Sequence, residues 1–333
     1  MDTNPASNRF KIKDIPSLLK ETYKEWMDDE PFDLSAIVAY YAIFSLPALL
    51  IIIITVAGTV FGQEAVQNEL SGQIGGIIGA DAAKEIQAMI AASYRTDSST
   101  VALVIGVATL LFGATGVFVA LQKSLNRVWE VKADPTKSGF KTLLKTRATS
   151  FGVILAIGFL LLISLTLTTV LTTLSDWIAA RMPDFFLYIF YIINFLVTFG
   201  IITLLFAMLY RFLPDVTIQW RTVWVGAAIT ALLFVIGKFA LAFYFGAAEP
   251  ASTYGAAGSV ILVLLWVSYS CLILFFGAEF TQVYAKRYGH EIEPNENAIR
   301  VEDNYEVLKE NDRQERERRN QTSYPRPNSG YAT

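Results

Sequence analysis

Charged and apolar positions are segregated along this chain rather than interspersed. Six stretches, approximately Leu34–Phe61, Val101–Leu121, Ser150–Leu171, Phe186–Leu209, Thr222–Gly246 and Gly255–Ala285, contain only two charged residues between them, Lys238 and Glu279. Each can cross a hydrocarbon layer about 30 Å thick, which takes roughly 20 helical residues. Barrel strands would be about ten residues long and would alternate in polarity, so helices are the expected form. The pattern predicts an all-α polytopic membrane protein with about six transmembrane helices in a membrane domain over 34–285.

Two further segments have helical periodicity without the length to span. In 14–30, Ile15, Leu18, Leu19, Tyr23 and Trp26 share one helical face. An N-terminal amphipathic helix lying in the membrane interface is expected there. In 63–94, Val66, Leu70, Ile74, Ile77 and Ile78 form one stripe. Ile86, Met89 and Ile90 form another after a candidate N-cap at Asp81. Gly72, Gly75, Gly76 and Gly79 are expected to divide this segment into two short amphipathic helices, which either cover the outer mouth of the bundle or form a linker resting on the bilayer. Residues 1–13 are expected to be flexible. The polar, charged tail over 289–333 is expected to be disordered.

Charge sets the orientation. The loop over 123–147 carries seven basic residues and two acids, and Arg211, Arg221, Lys286 and Arg287 flank the later spans on the same side. The opposite loop over 172–185 has only Arg181, and 247–254 has no basic residue. The positive-inside rule then places both termini and the basic loops in the cytoplasm. Charged residues make up 17% of the chain, against roughly 25% in soluble domains. The formal net charge of -3 says little beyond that. One cysteine, Cys271, excludes an intrachain disulfide. The N-terminus lacks the layout of a cleaved signal peptide, so the first span is expected to insert itself.

Polar groups inside apolar spans mark pathways or packing contacts. At 1.5 Å per helical residue, Glu279, Tyr40 and Tyr41 lie ~9–10 Å from the cytoplasmic ends of their spans. Lys238 and Asn194 lie ~12 Å from the outer ends of theirs. Lys238 and Glu279 are therefore separated in depth by roughly 20 Å, and two polar layers are expected rather than one ion pair. For Lys238, snorkelling to the outer headgroups competes with a cation in a substrate cavity. For Glu279, an ion pair with an inner-loop arginine competes with a proton- or sodium-sensitive gate. Tyr40, Tyr41, Ser45 and Pro47 suggest a kinked span beside a cavity, because proline frees a carbonyl one turn earlier. For Gly113-Ala114-Thr115-Gly116 and Gly255-Ala256-Ala257-Gly258, close helix packing competes with a moving hinge. Lys123, Arg127 and Arg211 are candidates for binding inner-leaflet headgroups.

Three runs occur in order: Ala39-Tyr40-Tyr41-Ala42-Ile43-Phe44-Ser45-Leu46-Pro47, then Tyr210-Arg211-Phe212-Leu213-Pro214-Asp215 with Trp220-Arg221, then Tyr254-Gly255-Ala256-Ala257-Gly258-Ser259 through Trp266 and Tyr269 to Gly277-Ala278-Glu279. Over about residues 15–288 the chain resembles the YihY/BrkB family of bacterial inner-membrane proteins. The resemblance implies transport of lipid, lipid-linked material or small solutes, and it adds Tyr254 and Tyr269 to the pathway candidates. The family has carried a ribonuclease BN-like label. Metal-dependent phosphodiester cleavage needs clustered His, Asp or Glu ligands. The only histidine is His290, in the tail, and no nucleophile–base constellation is visible. Neither enzymatic activity nor a metal, cofactor or nucleic-acid partner is expected. Three functions remain in view: a transporter of lipid-like or amphipathic substrates, an ion-coupled symporter of a small solute, and a non-transporting envelope scaffold. Membrane lipids are the expected partners, with a homo-oligomer or an envelope protein held through 63–94 as further possibilities.

Overall fold

The computed structural model describes residues 11–78, 116–134, 174, 184–248, 258–288 and 292–301. The third predicted span, most of the second, the stripe after Asp81, Tyr254 and the tail beyond 301 lie outside them.

A 3-10 turn at Ile12–Asp14 leads into α1 (Ile15–Asp28), whose Pro16 sits where a missing N–H costs nothing. The chain then turns at Glu30, a left-handed residue with φ 54°, and Pro31 opens α2 (Pro31–Phe61). At 31 residues α2 is longer than the hydrocarbon layer, and it runs unbroken through Pro47. Gly62, at φ 86°, separates it from α3 (Gln63–Ile78). That helix continues through Gly72, Gly75 and Gly76, which corrects the expectation that these glycines break it, and Gly79 lies outside the described residues. Helix α4 occupies 116–128 of the described residues. It ends at Glu130, a second left-handed non-glycine residue at φ 54°. Helices α5 (Asp184–Phe212), α6 (Trp220–Ala248) and α7 (Gly258–Tyr288) complete the helical part. Stretches of 25 to 29 residues in these three are long and apolar enough to cross a membrane.

The exterior is that of a chain solvated by lipid. Tyr191, Ile192, Phe195 and Leu196 of α5, and Ile236, Phe239 and Phe243 of α6, are all exposed. Such apolar faces would not stay monomeric in water. Helix α7 is the central element, packing against α1, α2 and α6, while α5 packs on α6. Without a hydrophobic drive between helices in lipid, close backbone approach matters most. Here it depends on small residues. A Cβ at Gly226 would collide with Thr281, and one at Gly277 would collide with Thr230. One at Gly237 would lie 2.8 Å from Tyr269 Oη.

The start of α2, the end of α4, the end of α5, the start of α6 and the end of α7 gather at one end. There the chain adds two short antiparallel ladders. Strand β1 (Val131–Ala133) pairs with β4 (Ala298–Arg300), and β2 (Val216–Thr217) pairs with β3 (Glu293–Pro294). The expectation of a disordered tail from 289 is thereby corrected for 292–301. Ladders of two or three residues are too short to show an alternating pattern, and each forms only because a loop from another span supplies its partner.

Candidate functional site

The end that collects Arg127, Arg211, Arg221 and Lys286 is tied together by polar contacts. Asp215, in the α5–α6 loop, accepts from Asn126 Nδ2 at 2.8 Å, Gln122 Nε2 at 3.3 Å and Asn295 Nδ2 at 3.2 Å. Its own N–H donates to Asn126 Oδ1 at 2.8 Å. Arg127 reaches across to the α1–α2 junction, 2.9 Å from Glu30 and 3.6 Å from Asp29. Lys286 pairs with Glu130 at 3.0 Å. The two left-handed residues are thus both glutamates that meet a cation from another element. Burial pushes the Asp29 carboxyl up to about 6 against the pull of Arg127, with Glu130 and Glu25 adding to the rise.

Above this layer the buried groups of three helices interlock. The Tyr210 hydroxyl lies 2.8 Å from both the Leu274 carbonyl oxygen and Thr230 Oγ1, close enough to hydrogen-bond to either. Thr230 and Thr281 each bond back to a carbonyl of their own helix, Gly226 and Gly277. Trp129 meets the Tyr210 ring edge-on with centroids 5.9 Å apart.

Helix α1 lies antiparallel across the end of α7. Tyr288 Oη donates to Asp14 Oδ2 at 3.1 Å, Arg287 donates to Ser17 Oγ at 2.8 Å, and Trp26 meets Phe276 edge-on with centroids 5.7 Å apart. Leu18 and Thr22 are fully buried against this helix, whereas Ile15, Leu19, Tyr23 and Met27 form an exposed row. The face read from sequence is therefore split into one strip on protein and a neighbouring strip left for lipid.

Under α1, Glu279 is only 2% exposed, and its Oε2 has no hydrogen-bond partner among the described residues. The same holds for Thr22 Oγ1, Trp26 Nε1, Trp129 Nε1, Thr222 Oγ1 and Gln282 Oε1. Buried polar atoms are nearly always paired, so six orphans among the described residues at one end of the bundle set this region apart.

A family model described as virulence factor BrkB matches residues 22–301. The chain belongs to the BrkB family. The match runs through β3 and β4, so the family unit includes the strands after the last helix. A UPF0761 membrane protein of Verminephrobacter eiseniae is 26% identical over 82% of this chain and 63% of its own length. A ribonuclease-like protein YfkH of Bacillus subtilis is 24% identical over 81% of the chain and 96% of its own length. A UPF0761 membrane protein of Pseudoalteromonas atlantica is 26% identical over 80% and 84%. The chain thus spans less than two thirds of the first of these relatives and nearly all of the second. No solved structure matches.

In this BrkB-family chain the sequence candidates fall into distinct settings. Tyr40 is 60% exposed, its ring edge-on to Tyr41 and Phe44, while Tyr41 packs on Gly116. Ser45 is buried and donates to the Ala42 carbonyl. Pro47 lies within α2. Asn194 is half-buried on α5, and Lys238 is exposed on α6. Tyr269 is half-buried against Gly237. Lys123 is exposed. Arg127 is committed to Asp29 and Glu30, and Arg211 donates to the Ile218 carbonyl with its guanidinium over Trp220. Among the described candidates only Glu279 is one of the orphans. Its companions Thr22, Trp26, Trp129 and Gln282 were not among the sequence candidates. Gln282 had a local signal, three residues after Glu279 and so on the same helical face. The rest depend on how α1 and α4 dock.

Proposed function

We propose that this BrkB-family protein is a transporter that moves lipid-like or amphipathic substrates across the bacterial inner membrane. Its membrane domain would have six spans, with both termini in the cytoplasm. An even number of passes is supported by the way the described helix ends gather, since 134 leaves and 212 returns at the same end.

The observation that carries this reading is the set of unpartnered polar atoms at the basic end. Indole N–H donors on Trp26 and Trp129 suit acceptor oxygens of a headgroup, and the exposed Lys123 stands at the rim for a phosphate. Lipid-facing rows on α1 and α2 offer a surface along which acyl chains would lie. The test uses purified protein in vesicles carrying a fluorescent phospholipid, with reductant added outside. Faster loss of inner-leaflet fluorescence than in empty vesicles is expected, slowed by Trp129→Phe. Equal rates with and without protein would refute the reading.

A second reading, an ion-coupled symporter of a small solute, is favoured specifically by the orphan carboxylate of Glu279. Glu279→Gln would then abolish ion-driven uptake while leaving the protein folded. The name of the Bacillus relative raises a nuclease as an alternative.

A further inference from the structure

Three of the orphan atoms are oxygens: Glu279 Oε2, Gln282 Oε1 and Thr22 Oγ1. Their side chains are 2%, 4% and 0% exposed. Glu279 and Gln282 lie three residues apart and share a face of α7. The contacts of residue 14 with 288, 17 with 287 and 26 with 276 set an antiparallel register for α1 on that helix. In this register Glu279 falls between Thr22 and Trp26, so the three buried residues belong to one stretch of the α1–α7 contact.

The charges around this region leave Glu279 uncompensated. Those acting on it are Asp29, Lys286, Glu25 and Glu130. Lys286 is already engaged by Glu130, and Arg127 by Asp29 and Glu30. An unpaired buried carboxylate costs several kcal/mol, so it takes up either a proton or a cation. A proton on Glu279 can bridge to only one neighbouring acceptor. A cation would satisfy all three at once. Hard cations take oxygen ligands, and a divalent ion draws more than one carboxylate to balance its charge. One carboxylate with an amide oxygen and a hydroxyl suits a single positive charge.

We infer that α1 and α7 enclose a binding site for a monovalent alkali cation, coordinated by Glu279, Gln282 and Thr22 and roofed by α1. The site gives α1 a role beyond anchoring, because leaving α7 would remove one ligand and open the other two to solvent. The inference concerns binding and does not depend on what the protein transports. A failed lipid or solute assay would leave it standing.

The test is thermal unfolding of the full chain in detergent, at fixed pH and ionic strength. Sodium, potassium and N-methylglucamine chlorides are compared, and sodium is titrated against N-methylglucamine. A saturable rise of Tm with sodium or potassium is expected. Gln282→Leu and Thr22→Val, which keep the carboxylate, should each weaken the apparent cation affinity about tenfold. Glu279→Gln should abolish the response. If Glu279→Gln does not fold, the two neutral-ligand variants decide. Equal Tm in all three salts would overturn the inference. So would a response that survives in all the variants, or one that follows pH but no alkali cation, which would indicate a proton site instead.

Discussion

Asn126 and Asp215 hold each other reciprocally. The Asn126 amide donates to the Asp215 carboxylate at 2.8 Å, and the Asp215 backbone N–H donates to Asn126 Oδ1 at the same distance. The pair joins α4 to the α5–α6 loop. Asn295 extends it to the segment after α7, since its N–H donates to the Asp215 carbonyl at 2.9 Å. Three segments of the chain are thus fastened at one end by a single carboxylate that accepts three side-chain amides. Asp215→Ala should leave the buried Asn126 amide unpaired and cost about 2 kcal/mol. The expected observation is a lower Tm in detergent, together with faster proteolysis after 292. An unchanged Tm would mean that the ladders hold this end without the carboxylate.

The crossing of α6 and α7 makes a steric prediction. Alanine at Gly277 would bring a methyl group against Thr230 Oγ1 and within 2.6 Å of Tyr210 Oη. Forcing the helices apart should cost ~1–3 kcal/mol. Thr230→Ala removes the colliding atom, so the double variant should be less destabilised than the sum of the singles. Additive losses in a thermal-unfolding cycle would show that the two residues do not meet as described.

Asp29 gives a pH dependence whose sign can be worked out. Its carboxyl is raised from 3.8 to about 6 in the fold, chiefly by burial. Between those values the folded protein holds more of the proton than the unfolded chain does. The contribution is therefore fully present below about pH 4 and is lost as pH rises towards 6. Asp29→Asn should flatten the stability profile across that window. Unfolding of both proteins at several pH values checks this, and parallel profiles would assign the titration to another group.

Lys238 is exposed on α6, away from the orphan cluster. A charge of this kind reaches a headgroup layer by extending its stem. Lys238→Gln should change stability by less than about 0.5 kcal/mol and leave lipid movement in vesicles unaltered. Loss of movement with folding intact would place Lys238 in the pathway.

The helices of this protein were legible because lipid is their solvent. A stretch of some 25 residues without charge has one stable form there, and that is a local property of the chain. The basic end was legible for the same reason, since charge near a membrane sorts by side. The apolar row of 14–30 was half legible. Its period gave the helix, but whether Leu18 or Leu19 met protein depended on α7.

What tertiary structure alone decided was partnership. Nothing near Glu279 in sequence says that Arg127 is spent on Asp29 and Glu30, or that a helix carrying Thr22 and Trp26 arrives from more than two hundred residues away to pack along α7. The strands at 293–294 and 298–300 had no readable period, because each exists only where a loop from another span offers its edge. Hydropathy is a sum over neighbours in the chain and can be read from the chain. Hydrogen bonds and ion pairs at the basic end join residues that become neighbours only when the helices pack, so the six orphan atoms at this end could be found only in the folded protein.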